Sequence, residues 1–269
     1  MFKTRKMKYL ILVLIHLFSC SSQVEESNFK DTINTIENSS SENNPDSLKI
    51  VAFYNKNSQV ESQSKSKGSV SNGKLENGKI MPFYGKNFTY FDQDSYLASR
   101  AFTSDIVKKI VLDAYEELHL EYPERKFFLM ELSNQEGGEI YPHRTHQNGL
   151  SVDFMMPKTQ NGMPNYSLDT LGKKHYFLSF NDQGEYVEDR TIKVDFDLIA
   201  HHILILNEMA EKYDYFIEKV IIKIEYKDEL FQTPHGQLLE KSGIYIVKNL
   251  SPLINSIHDD HFHIDFKKK

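Results

Sequence analysis

The chain has 269 residues, one cysteine, no tryptophan, and 38 acidic against 32 basic side chains, for a formal charge of −6. A lone cysteine excludes an intramolecular disulfide, and the acidic balance argues against nucleic acid, whose phosphates draw basic patches. The length suits one good-sized domain with extensions.

Lys3, Arg5, Lys6 and Lys8 make a basic start, and Tyr9 to Phe18 is apolar except for His16. This pattern reads as a secretory signal over residues 1–19; the apolar run is too short to cross a bilayer. Leu17-Phe18-Ser19-Cys20 resembles a bacterial lipobox, so Cys20 is expected to be lipidated and to tether the protein to a membrane, on its outward face. Loss of residues 1–19 removes four basic and no acidic groups, taking the charge from −6 to −10. Residues 20–65 are polar, rich in Ser, Asn, Glu, Gln and Lys, and read as a flexible tether. Within them, Ile50 to Tyr54 is an isolated apolar piece that reads as a lone strand.

From Ser66 the texture changes, and residues 66–269 read as the folded domain. Glycines at 68, 73, 78 and 85 punctuate short apolar pieces, as in loops and brief strands. Ser104 or Asp105 caps a helix running to about Leu120, with Ile106, Ile110, Val111, Ala114 and Leu118 on one face. Pro123 blocks its extension, and Lys126 to Leu132 reads as a buried strand. A second helix covers Asp197 to Tyr213, with Leu198, His202, Ile205 and Met209 facing one way. Ile217 to Tyr226 alternates as a strand. So does His261 to Phe266, which puts His261, His263 and Asp265 on one side. Without regular βαβ alternation, the class expected is α+β with a small antiparallel sheet and flanking helices.

His146 and Asp153 lie seven residues apart, and His263 follows 110 residues later. Catalytic zinc takes three such ligands and keeps an open position, whereas structural zinc more often uses thiolates. The remaining histidines lack ligand spacing. One of His201 and His202 is expected to be packed and the other exposed, His235 to lie at the surface in a turn after Pro234, and His119 and His175 to have no special role.

Pro142 to Asp153 reads PHRTHQNGLSVD, and His258 to His263 reads HDDHFH. These runs resemble the H-x-S-H-Q-x-G-L-D-V-D and H-x-x-H-x-H signatures of penicillin-insensitive murein endopeptidases. Ser66-Lys67-Gly68-Ser69 with Asn72-Gly73, and Leu132-Ser133 with Gly137-Gly138, are similar to further pieces of that pattern, so the resemblance runs from Ser66 to Phe266. The wider group is the lysostaphin, D-Ala-D-Ala peptidase and hedgehog type of zinc domain.

The resemblance implies a Zn2+ site held by His146, Asp153 and His263, with His143 binding metal under some conditions. It makes His261 the catalytic histidine and His258 a neighbour able to relay a proton. Asp260 is a rival base, or else an outer carboxylate that holds an imidazole tautomer, although a regular strand would point it away from His261 and His263. Thr145 and Ser151 depart from the pattern; the latter removes an outer carboxylate. The implied activity is hydrolysis of peptide cross-links of the D-alanyl-diaminopimelate type in peptidoglycan, by a lipid-anchored periplasmic enzyme, on the outer rather than the inner membrane. Two other readings stay open: a carboxypeptidase or dipeptidase acting on peptidoglycan stems, and a non-catalytic binding lipoprotein that keeps zinc.

Overall fold

The computed structural model describes residues 45–269. The apolar start, Cys20 and the first half of the expected tether lie outside the described residues.

The first described element corrects two expectations. Pro45–Asn57 form a helix, α1, where a flexible tether and a lone strand over residues 50–54 were expected. The few apolar side chains explain it: Ile50, Phe53 and Tyr54 recur three and four apart, which is helical spacing rather than alternation. Ile50 is buried in the core, and the Phe53 ring sits edge-on to Tyr96 at 5.7 Å. That burial offsets the entropy of ordering the segment.

A hairpin follows, β1 (Lys65–Ser69) with β2 (Asn72–Glu76), closed with Ser69 opposite Asn72. Next in the chain come β3 (Lys79–Ile80), β4 (Phe88–Tyr90), helix α2 (Gln93–Leu97) and β5 (Phe102–Thr103); β3 and β5 pair with each other. Helix α3 spans Asp105–Glu121, close to expectation, and Ser104 is its cap, its Oγ accepting from Val107 N at 3.1 Å. Strand β6 is Phe127–Leu129, shorter than expected. Beyond it the chain stays beside β7 (Ser151–Met155) through Met130 N to Asp153 O at 2.9 Å and Asp153 N to Glu131 O at 3.0 Å.

Strands β8 (Lys158–Gln160), β9 (Met163–Asn165) and β10 (Ile192–Val194) form a small separate sheet, with a 3-10 turn, Gly172–Phe177, between β9 and β10 in sequence. Helix α4 is Phe196–Lys212, capped by Asp195. Strand β11 is Tyr215–Ile221, two residues earlier than expected at its start and five shorter at its end. The lost end turns off the sheet to brace the second histidine motif: Lys223 N bonds His258 O at 3.1 Å and Ile224 N bonds Asn255 Oδ1 at 2.8 Å. Helices α5 (Tyr226–Gln232), α6 (Pro234–Lys241) and α7 (Pro252–Ser256) lead to β12 (His261–Lys268).

The main sheet has the order β11-β12-β7-β6-β4, antiparallel except for the parallel edge pair β4-β6. The class is α+β, as expected. One face of the sheet is apolar. Phe154 and Phe262 stack there at 5.3 Å, and His202 of α4 and Tyr115 of α3 pack over Phe154. The other face, by strand alternation, carries Asp153, His261, His263 and Asp265. Both faces are covered, so all of His261 to Phe266 is buried and no alternation of exposure remains.

Candidate metal centre

Strands β7 and β12 pair with His263 opposite Asp153 and Asp265 opposite Ser151. Opposed residues share a face, so the ladder itself brings the imidazole to the carboxylate. His146 reaches them from the loop before β7. Its φ is +66°, a left-handed conformation that costs a side-chain-bearing residue about 1–2 kcal/mol. The loop is held there by His146 N to Ser151 Oγ at 3.3 Å and by Gln147 N to Val70 O at 3.0 Å, the latter from the β1–β2 turn. Gly149 allows the return to β7: its φ is +75°, and a Cβ there would lie 2.9 Å from Ser104 N.

Three donor atoms converge. His146 Nε2 is 3.1 Å from His263 Nδ1 and 3.2 Å from Asp153 Oδ1, and the last two are 2.7 Å apart. A tetrahedral zinc ion with bonds of about 2.0–2.1 Å would set its donors roughly 3.3 Å apart, so the triangle suits such an ion after slight expansion. Two buried polar atoms, His146 Nδ1 and Asp153 Oδ2, have no hydrogen-bond partner among the described residues. An unpartnered carboxylate oxygen in the interior is costly unless a cation faces it. His143 stands nearest, its Nδ1 3.5 Å from Asp153 Oδ2. His143, His146 and Asp153 each offer one atom within 4.8 Å of the others, a set that can hold a metal ion.

The electrostatics of the cluster are those of a carboxylate among imidazoles. Burial alone would raise the pKa of Asp153, but His146 and His263 outweigh it and hold the group well below the carboxylate range. Burial lowers the pKa of His146. For His263 burial pulls downward too, yet Asp265 and Asp153 overcome it and push the value up to about 9.

A surrounding circle orients these groups. Glu131, buried, accepts from His143 Nε2 at 2.5 Å and is gripped by Arg100 Nη1 at 2.8 and 3.0 Å, so His143 turns Nδ1 toward Asp153. Asp265 accepts from His263 Nε2 at 2.8 Å and pairs with Lys219 at 2.8 Å. Glu131 was not singled out from the sequence, although it is the one acidic residue in the apolar run after Lys126.

The second motif forms a neighbouring group. His258 and His261 have ring centroids 4.8 Å apart. His258 Nδ1 lies 2.6 Å from Ile254 O, and a carbonyl only accepts, so the proton sits on Nδ1 and Nε2 keeps its lone pair. Burial, then His261, lowers the pKa of His258 to about 3, leaving it neutral. His261 is the opposite case. Burial disfavours its charge, but Asp260, 2.5 Å from its Nδ1, more than compensates and raises its pKa.

Asp260 therefore does not point away from His261, as strand geometry suggested. It precedes β12, outside the pleat, and grips the imidazole as an orienting carboxylate. His175, given no role by its spacing, is fully buried with Nε2 3.5 Å from Asp260 Oδ2. No local sequence signal marks it, since the turn that carries it is 85 residues away.

Outside this cleft, His202 is packed and His201 half-buried, close to expectation. His235 does not lie in a surface turn. It begins α6, stacks on His201 at 3.9 Å and bonds Asp197 at 2.8 Å.

The sequence profile of the penicillin-insensitive murein endopeptidase family matches residues 66–268. No curated protein matches the chain.

Proposed function

The chain belongs to the penicillin-insensitive murein endopeptidase family, hydrolases of peptidoglycan peptides, and on that premise we propose that it cleaves cross-links of the D-alanyl-diaminopimelate type with zinc as cofactor. The observation that carries this reading is the convergence of His146, Asp153 and His263 within 3.2 Å on a buried sheet face. These three residues hold the ion in this reading, with His143 at the rim as a further donor. Bound zinc supplies Lewis acidity, polarising a carbonyl and acidifying water.

The protein's own groups then divide the proton work. His258, neutral with its Nε2 lone pair free, accepts a hydrogen bond from the attacking water and orients it, and the water's proton passes to solvent. In this reading His261, whose pKa Asp260 raises, acts as the acid: it donates to the oxygen that gains charge and later supplies a proton to the leaving amine. Asp260 fixes the His261 ring and tautomer and is not itself the base.

The same reading puts the enzyme outside the cytoplasm, beside its substrate, with Cys20 lipidated in the outer membrane. The basic start, the apolar run and the lipobox-like Leu17 to Cys20 support it. Incorporation of labelled palmitate, lost in Cys20→Ala, tests this part.

The activity is tested by digesting purified muropeptides with the full-length protein. Cross-linked dimers are expected to be lost, to persist with a chelator or in His146→Ala, and to be cleaved again when zinc is restored. Intact dimers with loss of terminal alanine would instead identify a carboxypeptidase, and no change in either would leave a binding protein.

A further inference from the structure

Tyr176 belongs to neither histidine motif, yet it faces their products. Its ring stands edge-on to His261, with centroids 6.1 Å apart and planes at 84°, and edge-on to Phe91 at 5.6 Å. The turn that carries it is fixed on both sides. Lys173 N bonds Asp92 Oδ2 at 3.1 Å, and buried His175 holds Leu168 O at 3.1 Å through Nδ1 while its Nε2 lies against Asp260. Tyr176 is thus positioned by the same Asp260 that orients His261.

Its hydroxyl differs from those of its neighbours. Tyr90 donates to Arg100 O, Tyr96 to Met81 O and Tyr226 to Asp259 O. No described residue hydrogen-bonds the Tyr176 hydroxyl. The residue is 38% exposed, so the ring is open on one side. Burial first, then the Glu131, Asp153 and Asp260 carboxylates, push the phenol well above its ordinary value. A phenol so placed keeps its proton, and no described residue accepts it.

We propose that Tyr176 is a catalytic residue whose phenol donates a hydrogen bond to the oxygen of the scissile peptide carbonyl as that oxygen gains charge. The role rests on the peptidase reading above. It asks no bond to form or break at the tyrosine: the phenol keeps its proton, and the donor acts by being in place before charge develops.

The test is Tyr176→Phe in the full-length, zinc-loaded enzyme, which keeps the ring and removes the hydroxyl. Expected is a fall in kcat for dimer cleavage of roughly 10²-fold, the scale seen when one oxyanion donor is removed. KM, zinc content and thermal unfolding should stay near wild type, and affinity for a phosphinate analogue of the tetrahedral state should fall with kcat. Wild-type kcat in the variant, or a rise in KM alone, overturns the proposal and leaves Tyr176 a wall of the cleft. A wild-type enzyme that cleaves no dimers overturns the peptidase reading and this role with it, whereas an active wild type with an unaltered variant overturns only the role.

Discussion

Ser151 and Asp265 meet across the β7–β12 pair, the serine hydroxyl donating to the Asp265 carboxylate at 2.5 Å. The same oxygen accepts from His263 Nε2 at 2.8 Å. The carboxylate that serine at 151 appeared to cost the site is therefore supplied from the register partner on the opposite strand.

The first prediction follows from that exchange. Asp265→Asn should weaken zinc affinity by about 10–100-fold, the usual cost of losing an outer partner of a metal ligand. Ser151→Asp alone places two carboxylates in contact and should destabilise the protein, whereas Ser151→Asp with Asp265→Ser should recover most of the affinity. Competition for zinc with a chromogenic chelator measures all three, and a neutral Asp265→Asn would sink the assignment.

Asp260→Asn tests the orienting role. Asparagine keeps the shape but removes the charge that raises the His261 pKa. The alkaline limb of the kcat profile, where His261 loses its proton, should move to lower pH, and kcat should fall by at least about tenfold. Zinc content should not change. An unmoved limb would show that His261 does not act as a cation.

His202 should give the fold an acid sensitivity unrelated to catalysis. It is buried among Tyr115, Phe127, Phe154 and Phe262 with Nε2 unpartnered, and burial, then His201, lowers its pKa from 6.5 to about 3. The unfolded chain binds the proton more readily, so this contribution is complete above pH 6.5 and is lost as pH falls toward 3. The difference in unfolding free energy between wild type and His202→Phe should therefore change by about 1.4 kcal/mol per pH unit in that window. Urea titrations at several pH values would show it; parallel profiles would mean that His202 finds a proton partner.

Helix α1 should be part of the stability of the domain. Ile50→Ala should cost about 2–5 kcal/mol, as for other buried aliphatic truncations, and removal of residues 45–57 should expose Tyr96 and lower the melting temperature. A variant as stable as wild type would return the segment to the status of a tether.

Where the pattern was local, it was readable. The apolar spacing of α3 and α4, the cap at Ser104 and the alternation of β12 follow from short-range rules, and they place His261 and His263 on one face. Around Ile50 the five consecutive residues suggest a strand, but the ones that pack, Ile50, Phe53 and Tyr54, lie three and four apart and make a helix. Strand periodicity carried one residue past the strand points Asp260 the wrong way, whereas its part as an outer carboxylate on an imidazole holds. Glu131, His175 and Tyr176 reach the cleft only through tertiary packing, from elements whose local sequence says nothing about their neighbours. The β1–β2 turn that steadies the His146 loop is of the same kind.

Asp153 and His263 are 110 residues apart, and they meet because β12 inserts between β11 and β7. A chain made only as far as Met155 holds His143, His146 and Asp153, but neither His263 nor the His258–His261 pair, and its β7 lacks the β12 partner. Pairing over so long a separation is slow to form. The site is therefore complete only once the last strand is in place. Strand order alone makes the two ends of the domain answer for one reactive centre.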